Sequence, residues 1–175
     1  MLLPAFLFAQ TDRMSVRVGG GYAHDFPGLN GYAFFAEYTR PLSEKWQGAI
    51  GMKWNQLEGF PRTKEVKEFT KAFALDFILY FLPVSNEVHQ VRLGAGYSFS
   101  FYDIRRTYPV IVNDGGTNET LWPVQDAKGR ASGILLVTEY EFYLPNSNLS
   151  FGARGSLYKS FDYVLFAGAY IGIRI

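Results

Sequence analysis

The stretch VRLGAGYSFSFY, residues 91 to 102, decides the fold class because its alternate positions differ in size. One set is bulky or apolar: Val91, Leu93, Ala95, Tyr97, Phe99 and Phe101. The other set is mostly small: Gly94, Gly96, Ser98 and Ser100, with Arg92 and Tyr102. Successive side chains of a β-strand point to opposite faces. The pattern therefore predicts a strand with one bulky apolar face and one face of small residues and isolated charge.

Composition excludes several classes of function. The chain has 175 residues, a net charge of +1 and 19% charged residues, so nothing indicates a nucleic-acid partner or an acidic tail. It has no cysteine, which excludes a disulfide scaffold, a thiolate metal site and a cysteine nucleophile. The longest internal apolar run, residues 72 to 84, contains Asp76 and falls short of the roughly 20 residues of a membrane-spanning helix.

The first residues form an apolar block, MLLPAFLFAQ. This block is typical of the hydrophobic part of a secretory signal, with cleavage after Ala9. We therefore expect residues 1–9 to be the remnant of a signal peptide and residues 10–175 to form a single domain. The alternative is that the block forms a hydrophobic N-terminal strand or tail.

The alternation of the opening stretch recurs along the chain and predicts eight strands. Their expected bounds are Ser15–His24, Tyr32–Arg40, Trp46–Asn55, Phe69–Phe81, Val91–Tyr102, Gly133–Leu144, Leu149–Tyr158 and Leu165–Ile175. Strands of about ten residues have the length needed to cross a bilayer in a β-barrel.

The connections between these strands alternate in length. Three are short and begin with proline, PLSEK, PVSNEVH and PNSN, whereas others are long, including residues 58–68 and 103–131. The short turns belong at one end of the barrel and the longer loops at the other. Outer-membrane barrels are built in this way.

The two faces also decide which side of the barrel points inward. A soluble barrel such as a lipocalin would bury the bulky face and expose a face rich in Lys, Glu and Thr. Here the second face is rich in Gly, Ala and Ser, which fit the narrow interior of eight strands. An outward belt of Phe, Leu and Tyr exceeds the apolar surface that a soluble monomer tolerates. The sequence therefore predicts an all-β, eight-stranded antiparallel up-and-down transmembrane β-barrel.

With these features the chain resembles the small eight-stranded outer-membrane proteins, typified by the OmpA transmembrane domain, OmpX and OmpW, and the outer-membrane β-barrel domains of Bacteroidota. The resemblance covers residues 14–175. The last residues of the chain, AGAYIGIRI, look like the C-terminal signal that the barrel-assembly machinery recognises. The resemblance implies location in the outer membrane of a Gram-negative bacterium. It implies contact with outer-membrane lipid and lipopolysaccharide, and with the assembly machinery during insertion.

Nine charged side chains fall on the predicted inner face. They are Arg17, Glu37, Lys53, Asp76, Arg92, Glu139, Glu141, Arg154 and Arg174. Unpaired charges in a poorly solvated interior are costly, so we expect these groups to pair in a structural salt-bridge network. A proton or ion path is the alternative.

The sequence offers few candidates for catalysis. His24 lies beside Asp25, and His89 lies in a short turn near Glu87, but neither has a serine at a productive spacing. The His-x-Ser arrangement of the lipid A deacylases is absent. We therefore expect no enzyme, no cofactor and no metal site, with lipid A modification as a remaining alternative.

The long segment 103–131 is the main candidate for function, because binding sites concentrate on loops held by a scaffold. Within it, YPVIVN and TLWPVQ flank DGG, which predicts a hairpin that continues two barrel strands as a ribbon. The candidate partner-binding residues are Tyr108, Val110, Ile111, Leu121 and Trp122. This predicts a structural or protein-interaction role, with a partner in an outer-membrane complex. The alternatives are a lid over the barrel mouth and an OmpW-like narrow conduit for small apolar molecules.

Overall fold

The computed structural model describes residues 14–60, 66–114, 117–160 and 162–175. Residues 1–9, for which the sequence predicts a signal remnant, lie outside the described part. The described residues form ten strands: β1 (Ser15–Asp25), β2 (Asn30–Ser43), β3 (Trp46–Gly59), β4 (Glu68–Ser85), β5 (His89–Thr107), β6 (Val110–Asp114), β7 (Thr117–Leu121), β8 (Val124–Tyr143), β9 (Leu149–Lys159) and β10 (Tyr163–Arg174). None of the described segments is a helix long and apolar enough to cross a membrane.

Eight of these strands close into a barrel in the order β1, β2, β3, β4, β5, β8, β9, β10. All neighbours are antiparallel. The barrel closes where β1 pairs with β10, from Ser15 opposite Arg174 to Asp25 opposite Val164. The predicted eight-stranded up-and-down barrel is confirmed.

The remaining two strands extend one hairpin of the barrel. Strands β5 and β8 pair from His89 opposite Phe142 to Thr107 opposite Val124. Strands β6 and β7 then continue in the same register, beginning with Val110 opposite Leu121. The interruption falls at Pro109 and Pro123, which have no backbone N–H to donate to the ladder. We call residues 103–131 the ribbon, because most of this predicted loop is strand.

Several barrel strands also run further than the sequence pattern indicated. The expected turn PLSEK is reduced to Glu44 and Lys45, because β2 continues through Pro41 to Ser43 with a bulge at that point. Likewise β5 continues past Tyr102 to Thr107. Backbone pairing persists after the apolar outer face has ended, so the alternation of apolar residues alone underestimates strand length.

The inner and outer faces are divided as the sequence predicted. Outward side chains such as Phe34, Ile50 and Phe77 are exposed, whereas inward ones such as Phe35, Ile78 and Tyr80 are buried. Small inward residues make room for these rings. A Cβ on Gly94 would lie 2.7 Å from the ring of Tyr80, so only glycine at this position allows the ring to lie where it does.

Candidate functional site

The barrel interior holds a cluster of charged side chains toward the short-turn end. We call this the interior ion cluster: Arg17, Glu37, Arg92, Glu139, Glu141 and Arg154. Each lies on an inward position of its strand and is almost completely buried. The cluster contains three guanidinium groups and three carboxylates, so its charges balance.

Glu139 is the centre of the interior ion cluster. Its carboxylate receives hydrogen bonds or ion pairs from Arg17, from Arg92 at 3.4 Å and from Arg154 at 3.2 Å. The hydroxyl of Tyr80 donates to the same carboxylate at 3.0 Å. A buried charge is tolerated when it is paired and its remaining lone pairs are used. Glu139 meets this condition.

The two other carboxylates complete the cluster. Glu37 pairs with Arg17 and, at 2.8 Å, with Arg154. Glu141 pairs with Arg92 and accepts a hydrogen bond from Tyr143 at 3.0 Å. The arrangement joins five strands through side chains, in addition to their backbone ladders.

The other three predicted interior charges lie outside this cluster. Lys53 lies 3.9 Å from a carboxylate oxygen of Asp76, and its ammonium is 4.6 Å from the centre of the Tyr158 ring. The guanidinium of Arg174 lies over the Tyr143 ring, 3.1 Å from its centre.

A second charged group at the long-loop end was missed by the sequence analysis. Arg106 is buried and donates to Asp25 at 2.7 Å, to Thr70 at 2.9 Å and to Asp162 at 3.0 Å. Arg106 has the same inward parity along β5 as Arg92. Its inward direction follows from this parity only because β5 continues past Tyr102.

Aromatic and aliphatic side chains fill the interior between these charged groups. The Phe35 ring packs against Phe166 and Tyr170, with centroids 6.0 and 6.1 Å apart. Leu57 and Leu135 are completely buried toward the long-loop end. These buried side chains pack the interior between the interior ion cluster and the long-loop end.

The ribbon presents the opposite environment, because its apolar residues face solvent. The predicted partner-binding residues are exposed by 41% at Tyr108, 43% at Val110, 70% at Ile111, 51% at Leu121 and 38% at Trp122. Val110 and Leu121 are register partners and share one face, whereas Ile111 lies on the other. Both faces of the ribbon therefore carry apolar surface.

Exposed ion pairs cross the base of the ribbon. Arg105 donates to both carboxylate oxygens of Asp126, at 2.8 and 3.1 Å, and Lys128 lies 3.1 Å from Asp103. The hydrogen bond from Arg105 lowers the pKa of Asp126 below its ordinary value. These pairs are typical of a surface in water.

One edge of the ribbon lacks a neighbouring strand. Strand β8 pairs with β9 only from Ile134 onward, so residues 124–133 have β5 on one side and no described strand on the other. An unpaired edge of this kind exposes backbone N–H and C=O groups.

The two histidines contact an asparagine and a tyrosine side chain. Nδ1 of His24 lies 2.8 Å from the Asn30 side-chain oxygen, and Nδ1 of His89 lies 2.7 Å from the Tyr140 hydroxyl. Within the described ranges, neither ring is hydrogen-bonded to a serine hydroxyl. The described geometry therefore does not form a Ser–His pair for acyl transfer.

Comparison with solved structures identifies the architecture. A major outer membrane protein from Thermus thermophilus superposes with a TM-score of 0.64 at 13% identity, covering 93% of this chain and 99% of that one. Neisserial surface protein A superposes with a TM-score of 0.61 at 9% identity, covering 95% and 98%. The chain has the fold of the small eight-stranded outer-membrane β-barrels.

A third similar structure is Ail, the attachment invasion locus protein of Yersinia pestis, with a TM-score of 0.55 at 12% identity and coverage of 94% and 97%. The sequence matches no known family profile and no curated protein. The likeness at these identities is one of fold.

Proposed function

We propose that the protein is a non-enzymatic integral protein of a Gram-negative outer membrane, and that it binds a protein partner through the ribbon. The barrel serves as the membrane anchor, and the long-loop end faces the outside of the cell. The observation that carries this proposal is the exposed apolar surface of the ribbon, at Tyr108, Val110, Ile111, Leu121 and Trp122.

The position of this surface distinguishes it from the lipid-facing wall. The ribbon continues β5 and β8 beyond the end of β9, and exposed ion pairs such as Arg105 with Asp126 cross its base. Charged pairs of this kind belong in water, so the apolar residues beyond them lie outside the bilayer. Apolar patches that remain in water are typical of interaction surfaces, and aromatic anchors such as Trp122 often dominate binding.

The unpaired edge of β8 offers a mode of binding. An extended segment of a partner can add a strand to such an edge, with main-chain hydrogen bonds providing affinity and side chains providing selectivity. Lys128 and Arg130 on this edge discourage unspecific pairing, because charged residues protect exposed edges.

The filled interior supports a structural role for the barrel over a conduit. The interior ion cluster is charge-balanced, and rings such as Phe35 and Phe166 pack between its charges and the long-loop end. The exposure of the ribbon residues likewise favours a projecting ribbon over a lid, because a lid would bury one of its faces against the mouth.

Site-specific photocrosslinking in native membranes tests the proposal. A photoreactive amino acid at Ile111, in the ribbon, should give discrete crosslinks to protein. The same amino acid at Ile134, which is similarly exposed on the barrel wall, should give crosslinks to lipid. Trp122→Ala should reduce the protein crosslinks at position 111 strongly.

Replacement of residues 110–124 by a short Gly-Ser turn provides the complementary test. The barrel should still fold, because loop length affects stability only slowly, and partner co-purification should be lost. Protein crosslinks at 111 that Trp122→Ala leaves unchanged, together with co-purification that survives the replacement, would contradict the proposal. A rise in uptake of small apolar solutes after the replacement would instead indicate a lid.

A further inference from the structure

The outer wall of the barrel carries a groove of about 560 Å³ near the short-turn end. It crosses β2 to β5 along one cross-strand row, in which Arg40, Gly48, Leu79 and Ala95 are successive register partners. The small residues Gly48 and Ala95 lower the surface there. Larger outward side chains raise it along the next row: Tyr38, Ile50 and Phe77. We call this depression the Gly48 groove.

The floor of the groove at Gly48 is bordered by the Leu42 side chain and leaves room for a Cβ. A Cβ placed on Gly48 would have its nearest contact with the Leu42 side chain at 3.4 Å, an ordinary van der Waals distance. A larger side chain at this position would therefore project into the groove without a backbone clash. The volume lies within the roughly 300 to 1,000 Å³ typical of small-molecule sites.

A cation lies at one end of this otherwise apolar groove. Arg40 faces outward and is exposed, and its guanidinium forms no ion pair or hydrogen bond with another described residue. The rings of Trp46 and Phe81 pack 5.3 Å apart at the short-turn end. Arg40 lies in the next outward-facing row toward the middle of the barrel. Such aromatic pairs mark the level of the lipid headgroups.

An arginine at this depth needs an anion. Long basic side chains extend along apolar surface and place their charge at the interface. The guanidinium fork matches a phosphate with two parallel hydrogen bonds. The lipid phosphate is the anion that a bilayer supplies at this level, and an acyl chain is the apolar group that extends from it into the membrane.

We propose that the Gly48 groove binds a glycerophospholipid of the leaflet at the short-turn end. Its phosphate contacts Arg40, and one acyl chain lies over Gly48 and Ala95 beside Ile50 and Phe77. This site is independent of the ribbon, which lies at the opposite end of the barrel.

The same wall provides a matched control. A second groove of about 350 Å³ lies over Gly155, lined by Leu136, Thr138, Leu157 and Leu165 among others, with no lysine or arginine in its lining. A Cβ on Gly155 would meet only Thr138, at 3.4 Å. The two grooves therefore each have a floor glycine with room for a Cβ, and only the first is lined by a cation, Arg40.

Photolabelling by lipid tests the proposal. The folded protein is placed in phosphatidylcholine vesicles that contain a trace of phosphatidylglycerol with a diazirine on one acyl chain. After irradiation the labelled residues are mapped by mass spectrometry. Labelling should be higher in the Gly48 groove than in the Gly155 groove. Diacylglycerol with the same diazirine chain should show no such preference, because it has no phosphate.

Three variants decide the outcome. Gly48→Leu should abolish the preference. Arg40→Gln should reduce it about fivefold, which corresponds to the attraction of one basic side chain to an anionic lipid headgroup. Gly155→Leu should leave the labelling of the Gly48 groove itself unchanged. The difference in gel migration between boiled and unboiled samples reports whether each variant folds. If Gly48→Leu does not fold, Arg40→Gln still tests the proposal.

Other results would overturn the proposal. Equal labelling of the two grooves, or labelling that Arg40→Gln leaves unchanged, would mean that ordinary surrounding lipid occupies the site. If diacylglycerol labelled the Gly48 groove with the same preference, the phosphate would not be what binds the lipid there. Crosslinks between two protein chains centred on Ile50 and Phe77 would assign the groove to a second copy of the chain.

Discussion

The barrel wall and the ribbon expose apolar side chains to a similar degree, yet their surroundings differ. Phe77 on the wall is 51% exposed and Leu121 on the ribbon is 51% exposed. Around Phe77 the outward neighbours Ile50 and Tyr97 are also large and apolar. Near the ribbon residues, exposed pairs such as Arg105 with Asp126 cross between the strands.

The difference teaches that exposed area alone does not identify the medium in which a side chain lies. A continuous apolar belt indicates lipid, because water would drive it to aggregate. A short apolar patch beside solvated ion pairs indicates water and a binding partner. The same contrast extends to the ion pairs, which are buried in the interior ion cluster and exposed where Arg105 and Lys128 pair across the ribbon.

The largest expected effect separates these two kinds of ion pair. Glu139→Gln keeps the size of the side chain but leaves Arg17, Arg92 and Arg154 with one carboxylate fewer. Removing one partner of a buried ion pair destabilises a protein by about 3 to 5 kcal/mol. Denaturant unfolding in lipid vesicles should show a loss of this size.

The matched ribbon variant is Asp126→Asn, which removes the carboxylate that pairs with Arg105. This pair is exposed on both sides, so solvent and salt screen it, and we expect the unfolding midpoint to stay nearly unchanged. Equal losses for Glu139→Gln and Asp126→Asn would show that the interior is hydrated well enough to screen the ion cluster.

The fold could be predicted from the sequence because eight segments repeat one physical rule. Wherever a strand crosses the bilayer, lipid favours apolar residues, most of them large, at alternate positions, and this preference leaves a visible pattern from Val91 to Phe101. Beyond the bilayer the preference ends while the backbone ladder continues. Strand ends such as Pro41–Ser43 and Asp103–Thr107 therefore could not be found from the apolar pattern.

The same reason explains which interior charges were predicted. Arg17 and Glu37 lie between apolar outward residues, and Glu139 lies between the outward residues Thr138 and Tyr140. Their inward direction therefore follows from their neighbours. Arg106 lies between Arg105 and Thr107, so no apolar neighbour marks its direction. Its ion pairs are with Asp25 of β1 and with Asp162, which precedes β10. Contacts between segments that are distant in sequence have no local signal.

A charge placed on each apolar surface gives the next largest effect. Phe77→Arg places a cation in the middle of the wall and should lower the free energy of unfolding in lipid by about 2 to 4 kcal/mol. Ile111→Arg on the ribbon should change it by less than about 0.5 kcal/mol, as surface substitutions usually do. Both are measured by denaturant unfolding of the protein in vesicles.

Thr39→Ser on the inner face is a control for the wall, since it removes only one methyl group from a buried position. Its effect should be much smaller than that of Phe77→Arg. A harmless Phe77→Arg would require the inner and outer faces to be exchanged. A strongly destabilising Ile111→Arg would place the ribbon residue in lipid or against the barrel.

The smallest expected effect concerns the charge at the base of the ribbon and needs a site-specific measurement. The hydrogen bond from Arg105 lowers the pKa of Asp126 below its ordinary value, so the folded protein binds this proton less readily than the unfolded chain. The resulting stabilisation is present above the ordinary aspartate pKa and is lost as the pH falls through the lowered one.

Carboxyl-resolved NMR in detergent micelles should show Asp126 titrating below the usual aspartate range, and Arg105→Gln should return its pKa toward that range. Lys128→Gln should move it less, because Lys128 acts on Asp126 only through a weaker charge interaction. An Asp126 that titrates normally in the unchanged protein would mean that the two strands separate at the base of the ribbon, and the partner surface would then have to be sought on a mobile loop instead of a preformed one.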